Sequence, residues 1–564
     1  MCSSVRRVTV MLALFAGVSA QVYAGEQLGQ DRYHIRGTMV DALSGRVLAR
    51  ARVTIALIGE DPLARVVVTG DDGRFDFHDL AAGRYELSAR CRGYATRKYL
   101  QHGEFASAIV TGLGKNTEEI RFALVPGATI SGEVTDESGE SVRHARVRLM
   151  MKDLRDGRRT NDFVDEAQTN DQGAYRFSGL NAGTYWIAVD ATPWYAHGVV
   201  LNYSRSDAPQ ELRAEKQFAE REEDAPLDVA YATTYFGNAT EMDAAAPIEV
   251  KAGDAALADV FLRPVPAARL RVLTDGNHGI LEWRGGQASF SQMQGLGTDG
   301  AGSQLLTVTG LPPGAAKITT TEHATENDDG MNLGLVRMKT MMISGDTEIA
   351  VPVEGEGSTI SGTMNLYRPA ASTRVMELEI RGVGGTQTDV AIVPADGKFK
   401  FSSGRFAAGE YEMAVREPEG AVVVGMTASG ATVVEQKVAG QKVAGAKLVI
   451  GAESDVRMAV TVAVGSTRVR GVAAKDGAGV EGAMMLLVPL DFGGPVGLYR
   501  RDQSDSDGSF EFGNVAEGNY LVVGIADGWE LEWGKAEVLA KYLARGTKVV
   551  VGRDGVNGVK VEAQ

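Results

Sequence analysis

Asp72-Gly73-Arg74-Phe75-Asp76-Phe77, followed by Leu80-Ala81-Ala82-Gly83-Arg84-Tyr85, is the stretch whose reading decides the fold. Asp-Gly supplies the positive backbone dihedrals of a tight hairpin turn. Phe75 and Phe77 are two residues apart, so on a strand both project from one face while Arg74 and Asp76 project from the other. The second turn, Gly83-Arg84-Tyr85, has the form of a corner where the chain crosses between sheets, with the tyrosine ring packed and its hydroxyl on backbone. All of these residues read as core and turn rather than as chemistry.

The same pattern recurs along the chain. Asp171-Gln172-Gly173-Ala174-Tyr175-Arg176-Phe177 precedes Ala182-Gly183-Thr184-Tyr185, Asp396-Gly397-Lys398-Phe399-Lys400-Phe401 precedes Ala408-Gly409-Glu410-Tyr411, and Asp507-Gly508-Ser509-Phe510-Glu511-Phe512 precedes Glu517-Gly518-Asn519-Tyr520. A degenerate copy, Gly310-Leu311-Pro312-Pro313-Gly314, has Ala316 at the tyrosine position and brings the count to five. The turn glycines 83, 183, 314, 409 and 518 are spaced by 100, 131, 95 and 109 residues, which is one compact domain per copy. The long interval matches an insertion over 193–226. Upstream of each copy lies a short apolar run, at 35–41, 130–136, 270–275, 360–365 and 469–476, and in four of them a glycine (37, 132, 362, 471) holds the same place. Period-two alternation broken by turn clusters predicts antiparallel sheets.

Composition sets the outer limits. The 564 residues include 58 Lys plus Arg against 73 Asp plus Glu, a net charge of −15, which argues against a nucleic-acid partner. Hydrophobic residues make up 44%, enough for several cores. Arg6 and Arg7, an apolar run over 8–18 and small residues up to Ala24 predict a signal peptide over 1–24. That run is shorter than the about 20 residues of a membrane span, and no other stretch is long enough, so no integral membrane segment is expected in the mature chain. Cys2 would leave with the signal, and Cys91 alone makes neither an internal disulfide nor a thiolate metal cluster.

The succession Ile-Ser-Gly-x-Val at 130–134, Ala-x-Val-x-Leu at 145–149, Asp-x-x-Gly-x-Tyr/Phe-x-Phe and Leu-x-Ala-Gly-x-Tyr resembles the carboxypeptidase regulatory-like domains, relatives of transthyretin-like and collagen-adhesin B-type repeats. The resemblance implies an all-β, tandem array of about five Greek-key, immunoglobulin/transthyretin-like sandwiches of the carbohydrate-binding-like group, used in envelope proteins as stalks or binding accessories. The expected domains are 30–126, 127–265 with the insertion at about 193–226, a degenerate 266–355, 356–465 and 466–564. Very short linkers, such as Val125-Pro126-Gly127 and Arg263-Pro264-Val265, predict a semi-rigid rod.

No reacting constellation accompanies the fold, so the chain is expected not to be an enzyme and to need no cofactor. His323-Ala324-Thr325-Glu326 has the spacing of a zinc pair, but no later histidine completes it. No Gly-x-Ser-x-Gly elbow occurs, and Gly112-Leu113-Gly114-Lys115 lacks phosphate-loop spacing. The acidic stretches 326–329 and 502–507 lack a full calcium-loop spacing and read as solvated turns. Aromatic density carries the best binding signal. Trp194, Tyr195 and Tyr203 lie in the predicted insertion, and Trp529 and Trp533 flank Glu530 and Glu532, so both groups are candidate platforms for a sugar face. Ordinary packing is the competing reading for each. The expected function is an envelope or extracellular binding and spacer protein with a glycan or an envelope protein as partner. The alternatives are a structural or protein-interaction scaffold and an accessory subunit of an envelope peptidase or transporter.

Overall fold

The computed structural model describes residues 32–564 except 60–63, 116, 156, 206–226, 275–277, 284–285, 292–303, 322–325, 328–329, 332–335, 352–357, 368–375, 383–387, 394–398, 407, 418–420, 439–440, 452–454 and 491–495. The predicted signal peptide, the His323 pair, the Asp396-Gly397-Lys398 turn and residues 206–226 of the predicted insertion therefore lie outside the described residues, in whole or in part. What is described is nearly all strand, arranged as successive two-sheet sandwiches.

The first sandwich shows the plan. One sheet runs Arg74–Leu80, Tyr33–Asp41, Ile120–Leu124, and the facing sheet runs Arg65–Val68, Arg52–Leu57, Gly83–Arg90, with Arg97–Lys98 and Ile109–Thr111 beyond it. Inward side chains of both sheets close a core around Ile35, Met39, Val53, Phe75, Phe77, Leu87 and Phe122. Equivalent cores form around Ile130, Leu149, Phe177 and Ile187, around Leu270, Leu281 and Val308, around Ile360, Ile380 and Val460, and around Val469, Phe510, Phe512 and Val522. The alternating aromatics at 75 and 77, 175 and 177, and 510 and 512 thus sit where the sequence pattern assigns them.

In every sandwich the opening strand also pairs in parallel with the closing one: Tyr33–Asp41 with Ile120–Leu124, Ala268–Thr274 with Thr347–Val351, Ser358–Leu366 with Val456–Val464, and Thr467–Lys475 with Val556–Glu562. In the second sandwich Ala255–Leu257 and Val260–Phe261 share that role against Ala128–Thr135. This long-range pairing joins segments about 80 residues apart in the first and third sandwiches and adds one parallel pair to the antiparallel sheets that the alternation predicts.

Two further features bear on function. Val200–Arg205, inside the predicted insertion, pairs with Gln304–Leu311 and so forms the edge of a sheet whose other strands belong to the third core. Val199 and Leu201 pack on that core. In the fifth sandwich, strand Met484–Pro489 is buried on both faces. Its outer face is covered by the helix Ala536–Leu543 together with Trp529, Leu531 and Trp533.

The predicted rod is corrected by contacts between sandwiches far apart in sequence. The first and fifth sandwiches touch directly, with Arg84 bonded to Asp505 across 421 positions of chain. The hairpin of Arg146–Arg155 and Arg158–Gln168 reaches from the second sandwich to the fifth, where Gly534 N donates to Gly157 O at 3.0 Å and Leu154 packs beside Trp533. The array folds back on itself.

Candidate functional site

The aromatic residues singled out by the sequence fall into two separate places. Trp194 and Tyr195 occupy a turn after strand Gly183–Asp190, held by Ala196 N donating to Pro193 O at 3.0 Å and Leu227 N donating to Tyr195 O at 3.0 Å. Trp194 is 84% exposed, and its ring meets Tyr195 edge-on at 5.6 Å. The Tyr195 hydroxyl donates to one oxygen of Glu137, and the Tyr231 hydroxyl donates to the other at 3.0 Å. Burial, reinforced by the bond to Glu137, holds both phenols above their ordinary range, so they remain donors at neutral pH. An exposed tryptophan thus packs edge-on against Tyr195, whose hydroxyl, with that of Tyr231, fixes the Glu137 carboxylate. Leu227, also exposed, lies next to it through its backbone bond to Tyr195.

Tyr203 does not join this group in the backbone. It lies opposite Leu306 on the strand shared with the third sandwich, and its side chain lies outside the described residues.

Trp529 and Trp533 are packed, which corrects the platform expected of them. Trp533 is 7% exposed, lies within the second apolar layer of the fifth sandwich, and meets Tyr499 at 5.6 Å. Trp529 is half-buried: its Nε1 donates to Gly482 O at 2.9 Å, and its ring stacks on His102 of the first sandwich at 4.8 Å. Arg501 lies among Phe105, Trp529 and Trp533 at 4.6, 5.9 and 5.7 Å from their ring centres. Glu530 and Glu532, between the two tryptophans in sequence, face the hairpin of the second sandwich, where Glu530 pairs with Arg159 at 2.9 Å.

These contacts belong to a seam that the sequence reading missed. Ser107 Oγ donates to Ser504 O at 2.7 Å, Ala108 N to Asp505 Oδ1 at 2.9 Å, Ser506 N to Ala108 O at 3.0 Å, and Val110 N to Ser506 Oγ at 2.9 Å. Gln503 Nε2 donates to Leu100 O at 2.7 Å and Ser107 Oγ at 2.8 Å. Arg84 Nε lies 2.6 Å from Asp505 Oδ2, and Lys115 Nζ lies 2.6 Å from Asp507 Oδ2. The acidic stretch read as a solvated turn is therefore a docked one, with Asp505 only 1% exposed. Burial raises the Asp505 and Glu481 carboxyls and pushes Asp502 up to about 6, while Lys115 and Ser509 hold Asp507 below its usual range against its own burial. The non-alternating run Met484-Met485-Leu486-Leu487-Val488 demands cover on both faces of its strand, which signals the helix and tryptophan loop of the fifth sandwich but not the seam.

Cys91 is free and partly buried beside the first core. Among the described residues no group of three or more His, Cys, Asp or Glu is placed to hold a metal ion, and no helix is long and apolar enough to cross a membrane.

With this geometry in hand, the chain can be set beside known proteins. No curated protein matches it. Among solved structures, the TIE protein of Bacillus anthracis is 8% identical, with 96% of this chain and 76% of that one covered and a TM-score of 0.16. The minor pilin GBS52 of Streptococcus agalactiae is 12% identical over 42% of this chain and 97% of its own, with a TM-score of 0.21. The shaft pilin SpaA of Lactobacillus rhamnosus GG is 12% identical over 42% of this chain and 98% of its own, with a TM-score of 0.19. The model of the carboxypeptidase regulatory-like domain matches residues 34–125 and 129–202, the first sandwich and the greater part of the second core. The chain accordingly carries two stretches, 34–125 and 129–202, that match the carboxypeptidase regulatory-like domain, consistent with a repeat protein built on that domain.

Proposed function

We propose that this is a non-enzymatic, secreted or envelope-associated binding and spacer protein, and that its second sandwich binds carbohydrate through Trp194, Tyr195 and Glu137. The observation that carries the reading is the 84% exposed Trp194 packed on Tyr195, whose hydroxyl shares the Glu137 carboxylate with Tyr231. Sugar rings present axial C–H groups that pack on an indole face, and their hydroxyls are donors that a fixed carboxylate accepts. Glu137 is already oriented, so little side-chain entropy is lost when a hydroxyl adds to it.

The test is a glycan array probed with the full chain and with Trp194→Ala and Glu137→Gln variants, each shown by circular dichroism to be folded. Saturable binding that falls at least tenfold in both variants supports the reading. Binding that is absent, or unchanged by Trp194→Ala, removes it.

A scaffold role is the second reading, and the interdomain seam favours it. Trp529 and Trp533 serve packing between sandwiches rather than an outside ligand, so one of the two aromatic groups is already accounted for by assembly of the array. Specific capture of an envelope protein by the full chain, with no glycan bound, would select it.

A further inference from the structure

The seam between the first and fifth sandwiches joins two finished surfaces. Each sandwich keeps its own core, and among the described residues no strand is shared between their sheets. The contacts are hydrogen bonds, charge pairs and the packing of His102 and Phe105 on Trp529, laid on top of those cores. Parting the two sandwiches would leave both folded and both faces intact.

The paired charges of the two faces are opposite in sign, with one reverse pair, Arg501 of the fifth beside the exposed Glu104 of the first at 3.6 Å. The first presents Arg84, Lys115 and the backbone N–H groups of Ala108 and Val110. The fifth presents Asp505, Asp507 and the oxygen atoms of Ser504 and Ser506. Two first faces would repel each other, as would two fifth faces, so only a first-to-fifth pairing is complementary.

Closure within one chain joins positions about four hundred residues apart at the effective concentration set by the folded sandwiches between them, and the hairpin of the second sandwich docks on the fifth beside it. A heterologous contact of this kind can equally be made between copies, reciprocally in a dimer or in succession along a chain of molecules.

We infer that this pair of faces is a self-recognition site, and that a second copy of this chain is its partner whenever the intramolecular seam is open. The inference does not depend on glycan binding. Because Asp505 is buried against Arg84, a mismatched charge there is strongly penalised, which makes the pairing selective.

Two full-length variants test it. Arg84→Glu with Lys115→Glu reverses the first face, and Asp505→Lys with Asp507→Lys reverses the fifth. Each variant alone should sediment as a monomer, because neither its internal nor its intermolecular seam is complementary. In an equimolar mixture the unmodified fifth face of one meets the unmodified first face of the other, and a species of twice the mass should rise at least tenfold over either variant alone. A mixture that stays at monomer mass, with both variants folded by circular dichroism, overturns the inference.

Since the substitutions at Asp505 and Asp507 alter a hairpin turn, the unmodified chain provides a second measurement. Concentrated in high salt, which weakens the charge pairs, and returned to low salt, it should yield dimers that persist on dilution. If the variants fail to fold, this cycle decides alone, and a chain that remains monomeric throughout it also overturns the inference.

Discussion

Single residues carry most of what the repeat specifies. Tyr85, Tyr185 and Tyr520 each donate a hydroxyl bond to the carbonyl four residues back, at 3.2, 2.9 and 2.9 Å, as the Gly-x-Tyr spacing implies. Tyr185→Phe should therefore cost about 1 kcal/mol in chemical denaturation while leaving the circular dichroism spectrum unchanged. The recurring glycine of the opening strand has a steric explanation. A Cβ at Gly132 would lie 2.2 Å from Ala258 O on the parallel closing strand, and one at Gly471 would lie 2.2 Å from Val559 O. Gly132→Ala should thus destabilise by about 1–3 kcal/mol, read as a lowered Tm. The sequence showed that these glycines recur; the cause lies in a closing segment about 90 to 130 residues further along the chain. Two carboxyls make opposite contributions with pH. Asp41 is held at about 2 by the backbone N–H of Ser44 and the hydroxyl of Tyr94, below its unfolded value, so its stabilising effect is present at neutral pH and is lost as pH falls from about 4 through 2. Asp502, raised to about 6 by burial, stabilises the fold only when protonated, and that contribution disappears as pH rises from about 4 through 6. Asp502→Asn should consequently raise Tm at pH 7 and have a much smaller effect at pH 4, as a thermal-melt series across pH would show.

At the scale of elements, the strands were legible because alternation is local and the turn chemistry is explicit. Gly73, Gly173 and Gly508 all adopt the positive φ that the Asp-Gly turns require, at +69°, +70° and +82°. The helix Ala536–Leu543 was not legible as a functional element, since its role is to cover a strand that is already paired on both edges. Leu539 is its buried anchor. Leu539→Ala should cost about 2–5 kcal/mol and expose Trp533, seen as a red shift in tryptophan fluorescence. The hairpin tip of the second sandwich depends on Gly157, where a Cβ would lie 2.2 Å from Gly534 N. Gly157→Ala should undock the tip from the tryptophan loop and raise hydrogen exchange at Gly534, with the core of the second sandwich unaffected.

For the whole molecule, the decisive observation is that the array closes. Five end-to-end domains of about 100 residues, each with a radius of gyration near 13 Å, would span roughly 170 Å. Small-angle X-ray scattering of the full chain at low salt should give a maximum dimension well below that figure, and Arg84→Glu with Lys115→Glu should increase it. An unchanged profile in the variant would mean that the Arg84 and Lys115 pairs do not hold the seam. By itself, the sequence determined the fold class, the recurring turn with its packed aromatics, and Trp194 as one of several candidate platform residues. All of these follow from side-chain periodicity and turn preferences within about ten residues of chain. Only the tertiary structure decided which strand closes each sheet, that Val200–Arg205 serves the third sandwich, and that Trp529, Trp533 and the 502–507 turn are spent on the seam. Those outcomes rest on complementarity between surfaces hundreds of residues apart, and an acidic turn bound for solvent is written in the same residues as one bound for an arginine across an interface.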